Sequence, residues 1–464
     1  MFFPLLVAAI SLARPDTILP SDLSLLGVAV ESGAPVHAMS VEQGDAATTL
    51  LGVEEVSRTP ATAVPARAST TDPIFVASPP ARPDFAVYAS MPLPSTGLAG
   101  APAHGMSASN ELGFSPRELD RAVTAIEAEV RRGALPGAAL AVGRWNQPVI
   151  EKGIGKVDRL AGSATVDPDH TIYDLASLTK VVATTTAVML LWEDGDIDLD
   201  APVRTYLPAF SGGDRDRITI RHLLTHTSGL PAGATVDGLS RDEVFARIYA
   251  TGLRSRPGQR VEYSDLGFIV LWQAAEAAHG APLTVLLQKR VFGPLGMKFT
   301  SFLPGETCVR CAPTLDREGF RGVVHDPIAR RLGGVAGHAG LFSTAHDLSR
   351  FAAMLASGGE LDGVRVLRAS TIALFTQRQP DAGVRALGWE TPNERGDGSG
   401  GLIISPGAFG HTGFTGTSLW VDPQRGTWTV LLSNRTLRPR GANRIQALRR
   451  EVNDWVANSV DFAR

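Results

Sequence analysis

Ser177-Leu-Thr-Lys180 stands between Ile172-Tyr-Asp-Leu-Ala176 and the apolar run Val181 to Trp192. A serine at a helix start with a lysine three residues on places both side chains on one face, one turn apart. The dipole and free N–H groups of that helix end favour negative charge. A lysine desolvated against the helix has its charged form disfavoured and can accept the serine proton. By itself the quartet reads more readily as a serine cap followed by a surface lysine. Its meaning depends on what lies elsewhere in the chain.

Two elements lie downstream. Tyr263-Ser-Asp265 sets a phenol and a carboxylate just before the apolar run Leu266 to Ala278. Gly410-His-Thr-Gly413 opens a strand-like run ending in Trp420-Val-Asp-Pro423. Singly, these read as a packed tyrosine with a capping aspartate and as a turn with a solvated histidine. Their order, with steps of 86 and 148 residues from Ser177 to Tyr263 to His411, makes coincidence a poor explanation.

The three elements resemble the S-x-x-K, Y-x-N and K/H-T-G motifs of the serine β-lactamase and low-molecular-weight penicillin-binding protein superfamily, in its class C and esterase-like branch. His222-Leu-Leu-Thr-His-Thr-Ser-Gly-Leu-Pro231 and Gly333-Gly-Val-Ala-Gly-His-Ala-Gly-Leu-Phe-Ser343 also resemble family segments, and the resemblance runs from about Leu112 to the C-terminus. It implies an α+β, β-lactamase/transpeptidase-like fold: an antiparallel sheet of five or more strands flanked by helices, an all-helical region, and an active site between them. It implies Ser177 as the acylated nucleophile, Lys180 as general base or proton relay, and Tyr263 as the group moving protons to the leaving group and deacylating water. His411, where many relatives carry lysine, would orient a substrate carboxylate or share the proton traffic. The Gly413–Phe414 turn would supply the Phe414 N–H, which with the Ser177 N–H makes an oxyanion hole, each donor contributing about 3–4 kcal/mol. Asp265 departs from the usual asparagine. An ionised carboxylate near Lys180 favours the charged amine and opposes its use as a base.

Patterning along the chain agrees with that fold. Ser115-Pro-Arg-Glu118 reads as a capping box opening a helix with apolar positions Leu119, Val123, Ile126 and Val130. Strand-like runs span Ala138–Val142 and Val149–Ile154 near one end, and Thr415–Val421 and Thr427–Leu432 near the other. Helical spacing covers about 178–194, 241–251, 265–279, 282–292, 344–357 and 441–458. Strands at both ends with helices between predict one sheet completed by the two termini.

Other chemistries find little support. The chain has 464 residues, 44 basic against 47 acidic, so no strongly basic nucleic-acid surface is expected. Only five residues are lysine, which makes Lys180 conspicuous. There is no G-x-S-x-G elbow and no H-E-x-x-H. His222 and His226 have metal-pair spacing without the glutamate, and Asp194 to Asp200 alternates acids but has Leu199 where a calcium loop needs glycine. Both read as structural, and neither metal nor cofactor is expected. Cys308-Val-Arg-Cys311 lies in a loop context and reads as a local disulfide if the protein is exported, or as free thiols otherwise.

Residues 1–13 are apolar with a small-x-small end, as in a short signal peptide, but lack a basic n-region. Export to the periplasm or cell envelope is the expectation, and a true start at Met91 or Met106 would make the protein cytoplasmic. Residues 14–111 hold 12 prolines and no apolar period, and read as a disordered linker before a hydrolase domain at 112–464. No stretch is long and apolar enough for a spanning helix. The expected partner is a small-molecule or peptidoglycan-peptide substrate, and the expected state a monomer. D-Alanyl-D-alanine carboxypeptidase, β-lactamase and small-ester hydrolase share these motifs. A penicillin-binding, peptidoglycan-sensing protein that stays acylated is the alternative of another class.

Overall fold

The computed structural model describes residues 106–305, 308–315, 320–393, 395, 398–437 and 444–460. The signal-peptide reading and nearly all of the linker reading concern residues outside these. At the boundary, a short helix, Met106–Glu111, occupies the last residues assigned to the linker. Phe114 then bridges to Val460, and the Ser115 N–H donates to the Ser459 carbonyl at 2.7 Å, which ties the start of the domain to its C-terminal helix.

One five-stranded antiparallel sheet organises the chain. Its strands are β1 (Gly137–Arg144), β2 (Gln147–Gly155), β3 (Phe409–Thr412), β4 (Ser418–Asp422) and β5 (Thr427–Ser433). The spatial order is β2-β1-β5-β4-β3, so the first two strands pair with the last through β1 and β5. Leu140 faces Leu431 and Ala141 faces Val430 across that pair. Side chains alternate between two cores, as a period of two requires. Ala138, Leu140, Val142 and Leu431 join one cluster, whereas Ala139, Ala141, Val430 and Leu432 join the other.

The first cluster lies under α1 (Pro116–Arg131) and the C-terminal helix Ile445–Ser459. Ser115 occupies the cap of α1, but its side chain makes no cap hydrogen bond. The Glu118 carboxylate accepts from Arg121 at 3.1 Å instead, so the expected capping box does not close. On the other face Ala345–Ala356 packs against β1, β4 and β5, and the helical region follows beyond it.

The expected helix at 178–194 is three pieces: a 3₁₀ turn Ala176–Leu178, a wide π-type turn Lys180–Thr185, and α2 (Thr186–Asp194). The run Val181-Val-Ala-Thr-Thr-Thr186 is rich in β-branched residues, which pack poorly in a tight helix. Two of its hydroxyls bond elsewhere: Thr184 Oγ1 donates to Gly337 O at 2.6 Å and Thr186 Oγ1 to Val181 O at 2.8 Å. The 282–292 helix likewise divides into Leu283–Leu287 and a π-type turn Gln288–Phe292. Among the described residues no helix is long and apolar enough to cross a membrane.

Candidate active site

Ser177 sits at the mouth of the broken helix, and its position is over-determined. Ala176 just before it has φ of +48°, a left-handed conformation unfavourable for a residue with a Cβ. Asp174 latches this turn. Its Oδ1 accepts from the Ala176 N–H at 2.8 Å and its Oδ2 from the His325 N–H at 2.6 Å. The Asp174 carbonyl accepts from Thr415 Oγ1 at 2.7 Å and the Leu175 carbonyl from Thr417 Oγ1 at 2.9 Å. Thus the 413–417 turn is bonded directly to the segment leading into Ser177. Gly413 is needed for that approach, because a Cβ there would lie 2.3 Å from the Leu175 carbonyl oxygen. Burial pushes the Asp174 carboxyl up to about 6 despite its two N–H donors.

Lys180 is fully buried. Its Nζ donates to Ser177 Oγ at 3.0 Å, to Asp265 Oδ1 at 2.6 Å and to the His338 carbonyl at 3.1 Å. Those three acceptors account for all three protons of an ammonium. Burial lowers the Lys180 pKa, but the Asp265 charge and then Tyr263 outweigh it, and the net shift is upward.

Asp265 opens α3 (Asp265–His279), yet it does not cap it. Ser264 does so: its Oγ accepts from the Gly267 N–H at 3.1 Å and donates to Pro231 O at 2.6 Å. The Asp265 carboxylate is therefore left to Lys180. Tyr263 lies with its ring centre 4.9 Å from Lys180 Nζ and 5.3 Å from the Arg385 guanidinium carbon. His226 packs on the same ring at 4.4 Å and its Nδ1 accepts from the Ser264 N–H, fixing the Tyr263 loop. His222 caps its own helix by accepting from the Thr219 N–H. The two histidines of the HLLTH segment thus serve separate structural tasks. Likewise Asp194 pairs with Arg290 and Asp200 with Arg221.

His411 on β3 is buried, 6.0 Å from Tyr263 between ring centres. Its Nδ1 bonds the Thr412 carbonyl at 2.8 Å, which assigns the proton to Nδ1 and leaves Nε2 a buried lone pair with no partner among the described residues. Burial, then the charges of Lys180 and Arg385, hold its pKa well below the usual histidine value. A neutral ring offers an acceptor but no positive charge, so His411 lacks the cation that orienting a substrate carboxylate calls for. Phe414, whose N–H is the second oxyanion candidate, keeps its side chain 60% exposed. Its ring stacks on His325 at 5.4 Å and faces Arg435 at 4.7 Å.

The structure thus brings Ser177, Lys180, Tyr263, Asp265 and His411 around one point, with Gly413 and Phe414 on the adjoining turn. Sequence reasoning missed Asp174, Arg385, Arg435 and Arg449. Arg449 is buried in the C-terminal helix and donates to the Gly413 and Thr417 carbonyls at 2.6 and 2.7 Å, fixing the turn from behind. None of these four sits in a recognisable motif. Cys308 and Cys311 form a disulfide. That loop hydrogen-bonds Ile172 on both sides, upstream of the nucleophile.

The chain is similar to several known proteins. A protein of Salmonella schwarzengrund (strain CVM19633) named "Putative D-alanyl-D-alanine carboxypeptidase" is 31% identical over 370 residues, spanning 71% of this chain and 85% of that one. A penicillin-binding protein homologue from Caulobacter crescentus superposes with a TM-score of 0.61 at 20% identity, covering 74% of this chain and 99% of the other. EstCE1, described as a hydrolase with promiscuous acyltransferase activity, gives 0.60 at 22% identity and covers 74% and 99%. At those identities the two structures speak for the fold alone. Residues 120–454 match the Beta-lactamase family, and the chain belongs to that family, whose members are serine hydrolases.

Proposed function

We propose that this chain hydrolyses an amide through an acyl-enzyme on Ser177, in the manner of a D-alanyl-D-alanine carboxypeptidase or a β-lactamase. The observation that carries this reading is the buried Lys180, bonded at once to Ser177 Oγ and Asp265. Ser177 Oγ attacks the substrate carbonyl carbon, and its proton must leave as the new C–O bond forms. Lys180, with every N–H already donated, holds the oxygen rather than taking its proton. The Tyr263 hydroxyl relays that proton: its oxygen accepts it while its own proton goes to the departing amine nitrogen as the C–N bond breaks. Lys180 and Arg385 flank its ring, so negative charge on Tyr263 meets opposite charge from two sides. The N–H groups of Ser177 and Phe414 receive the carbonyl oxygen as it becomes an oxyanion. A water activated by Tyr263 releases the acyl group.

The carboxypeptidase role is favoured over a small-ester role by the name and coverage of the Salmonella relative. A place in the cell envelope would suit the substrate class proposed, and the Cys308–Cys311 disulfide suits an oxidising compartment. Turnover of p-nitrophenyl acetate, nitrocefin and a D-alanyl-D-alanine peptide by one purified sample tests the reading. Release of D-alanine at the highest kcat/KM of the three is expected. Preference for the acetate by tenfold or more would assign an esterase instead.

A further inference from the structure

Away from the nucleophile, three segments of the chain bring carboxylates and imidazoles together. Glu151 stands on β2, Asp169 on the turn before the short strand Tyr173–Asp174, and His346 in the first turn of the helix Ala345–Ala356. The His346 N–H donates to the Pro168 carbonyl at 3.1 Å, which fixes the turn against the helix. His346 Nδ1 lies 3.1 Å from Glu151 Oε1 and 3.8 Å from Asp169 Oδ1. The Glu151 side chain is only 6% exposed, and its Oε1 also accepts from Ser349 Oγ at 2.8 Å. Asp167 and His170 belong to the same turn but pair with each other at 2.9 Å, so they close the turn instead.

Two ligand atoms held about 2.0–2.1 Å from one tetrahedral zinc ion stand about 3.3 Å from each other. The separations of 3.1 and 3.8 Å fall on either side of that value, and the three ligand atoms all lie within 4.8 Å of one another. Ser349 supplies the outer hydrogen bond that orients a ligating carboxylate. With the imidazole neutral, the two carboxylates carry two negative charges, which a divalent ion cancels. The adjoining surface cavity is open at Asp169 and His346 and is also lined by Lys298 and Arg350. Arg350 is held by Asp362 at 2.6 Å, and Lys298 is the charge that an arriving cation must outweigh. We propose that Glu151, Asp169 and His346 bind a divalent ion of the zinc class, with water completing the coordination, and that the ion pins β2, the 167–170 turn and the helix Ala345–Ala356 together. The pairs Tyr173–Ser343 and Asp174–Phe342 lie between this site and Ser177, so the ion takes no part in the reaction. The assignment is independent of the acyl-enzyme reading.

The test is calorimetric titration of ZnCl2 into the full chain after EDTA treatment and desalting. One site with a Kd of about 10 μM or tighter is expected, and ZnCl2 should raise the midpoint of thermal unfolding. CaCl2 should bind about tenfold more weakly or worse, because an imidazole ligand suits zinc and not calcium. His346→Ala and Asp169→Asn should each weaken ZnCl2 binding by about tenfold or more, whereas His170→Ala should leave it unchanged. Asp169 is exposed, so its variant keeps the test decisive even if His346→Ala fails to fold. No binding of ZnCl2 at about 100 μM would reduce the three residues to an ion-pair cluster and overturn the assignment. Binding that persists in both ligand variants, or is lost in His170→Ala alone, places the ion elsewhere and overturns it too. Tighter binding of CaCl2 than of ZnCl2 contradicts the imidazole ligand.

Discussion

Asp265 Oδ1 lies 2.6 Å from Lys180 Nζ, and the lysine is wholly buried at the point where it also touches the nucleophile. The pairing inverts the simplest role for such a lysine. Instead of waiting as a neutral base, Lys180 is held as an ammonium by a carboxylate where related motifs carry an amide.

Replacing Asp265 by Asn removes that charge and keeps the shape. With the largest upward influence on its pKa gone, burial dominates and Lys180 becomes easier to deprotonate. In that variant a neutral Lys180 can take the Ser177 proton directly, so the acidic limb of the kcat/KM profile should move to lower pH, by about 1–3 units, the usual effect of a close opposite charge. An unmoved limb in a folded variant would show that the carboxylate plays no electrostatic part. Because folding raises the Lys180 pKa, the stability from this pair is complete below the ordinary lysine value. It is lost as pH rises through the raised one. At neutral pH the variant should therefore be less stable, by about 1–3 kcal/mol in urea unfolding, since it leaves a buried ammonium poorly paired.

Asp174 should matter as much for the fold as for the site. Asp174→Ala leaves the buried Ala176 N–H and the part-buried His325 N–H without acceptors, at a cost of about 2–4 kcal/mol. The folded carboxyl, raised to about 6, binds its proton more readily than the unfolded one. Its contribution is thus complete below the ordinary aspartate range and declines as pH rises through about 6. The stability gap between wild type and variant should narrow by about 1–2 kcal/mol from pH 4.5 to pH 8. A gap that widens over this range would contradict the proposed balance between burial and hydrogen bonding.

Chelators should not affect turnover. Around Ser177 the donors are an ammonium, a phenol, a carboxylate committed to Lys180 and a neutral imidazole with one nitrogen engaged, a set ill-suited to hold a divalent ion. Loss of activity with EDTA, restored by zinc, would overturn this.

The parts legible in sequence were those set by local pattern. The continuous apolar run at 138–142 and the apolar-rich run at 427–432 identified the central strand pair, because a strand buried on both faces needs apolar residues on both. Ser177, Lys180, Tyr263 and His411 were legible because their motif spacing is specific. The broken helix at 176–194 was not, since hydroxyl bonds from Thr184 and Thr186 to carbonyls outside the normal ladder decide its pitch. Nor was the neutrality of His411, which comes from burial among Lys180, Arg385 and Arg449, two of them distant in sequence from any motif. The Asp174 latch depends in the same way on the 413–417 turn folding back onto the strand before Ser177.

The most direct measurement of the central claim is peptide mass mapping after treatment with a fluorophosphonate or a penicillin. Ser177 combines a strained turn, a buried lysine at 3.0 Å and a facing tyrosine, so it should carry the label on its own. Label at a different serine, or no label from either reagent on the folded protein, would contradict the account.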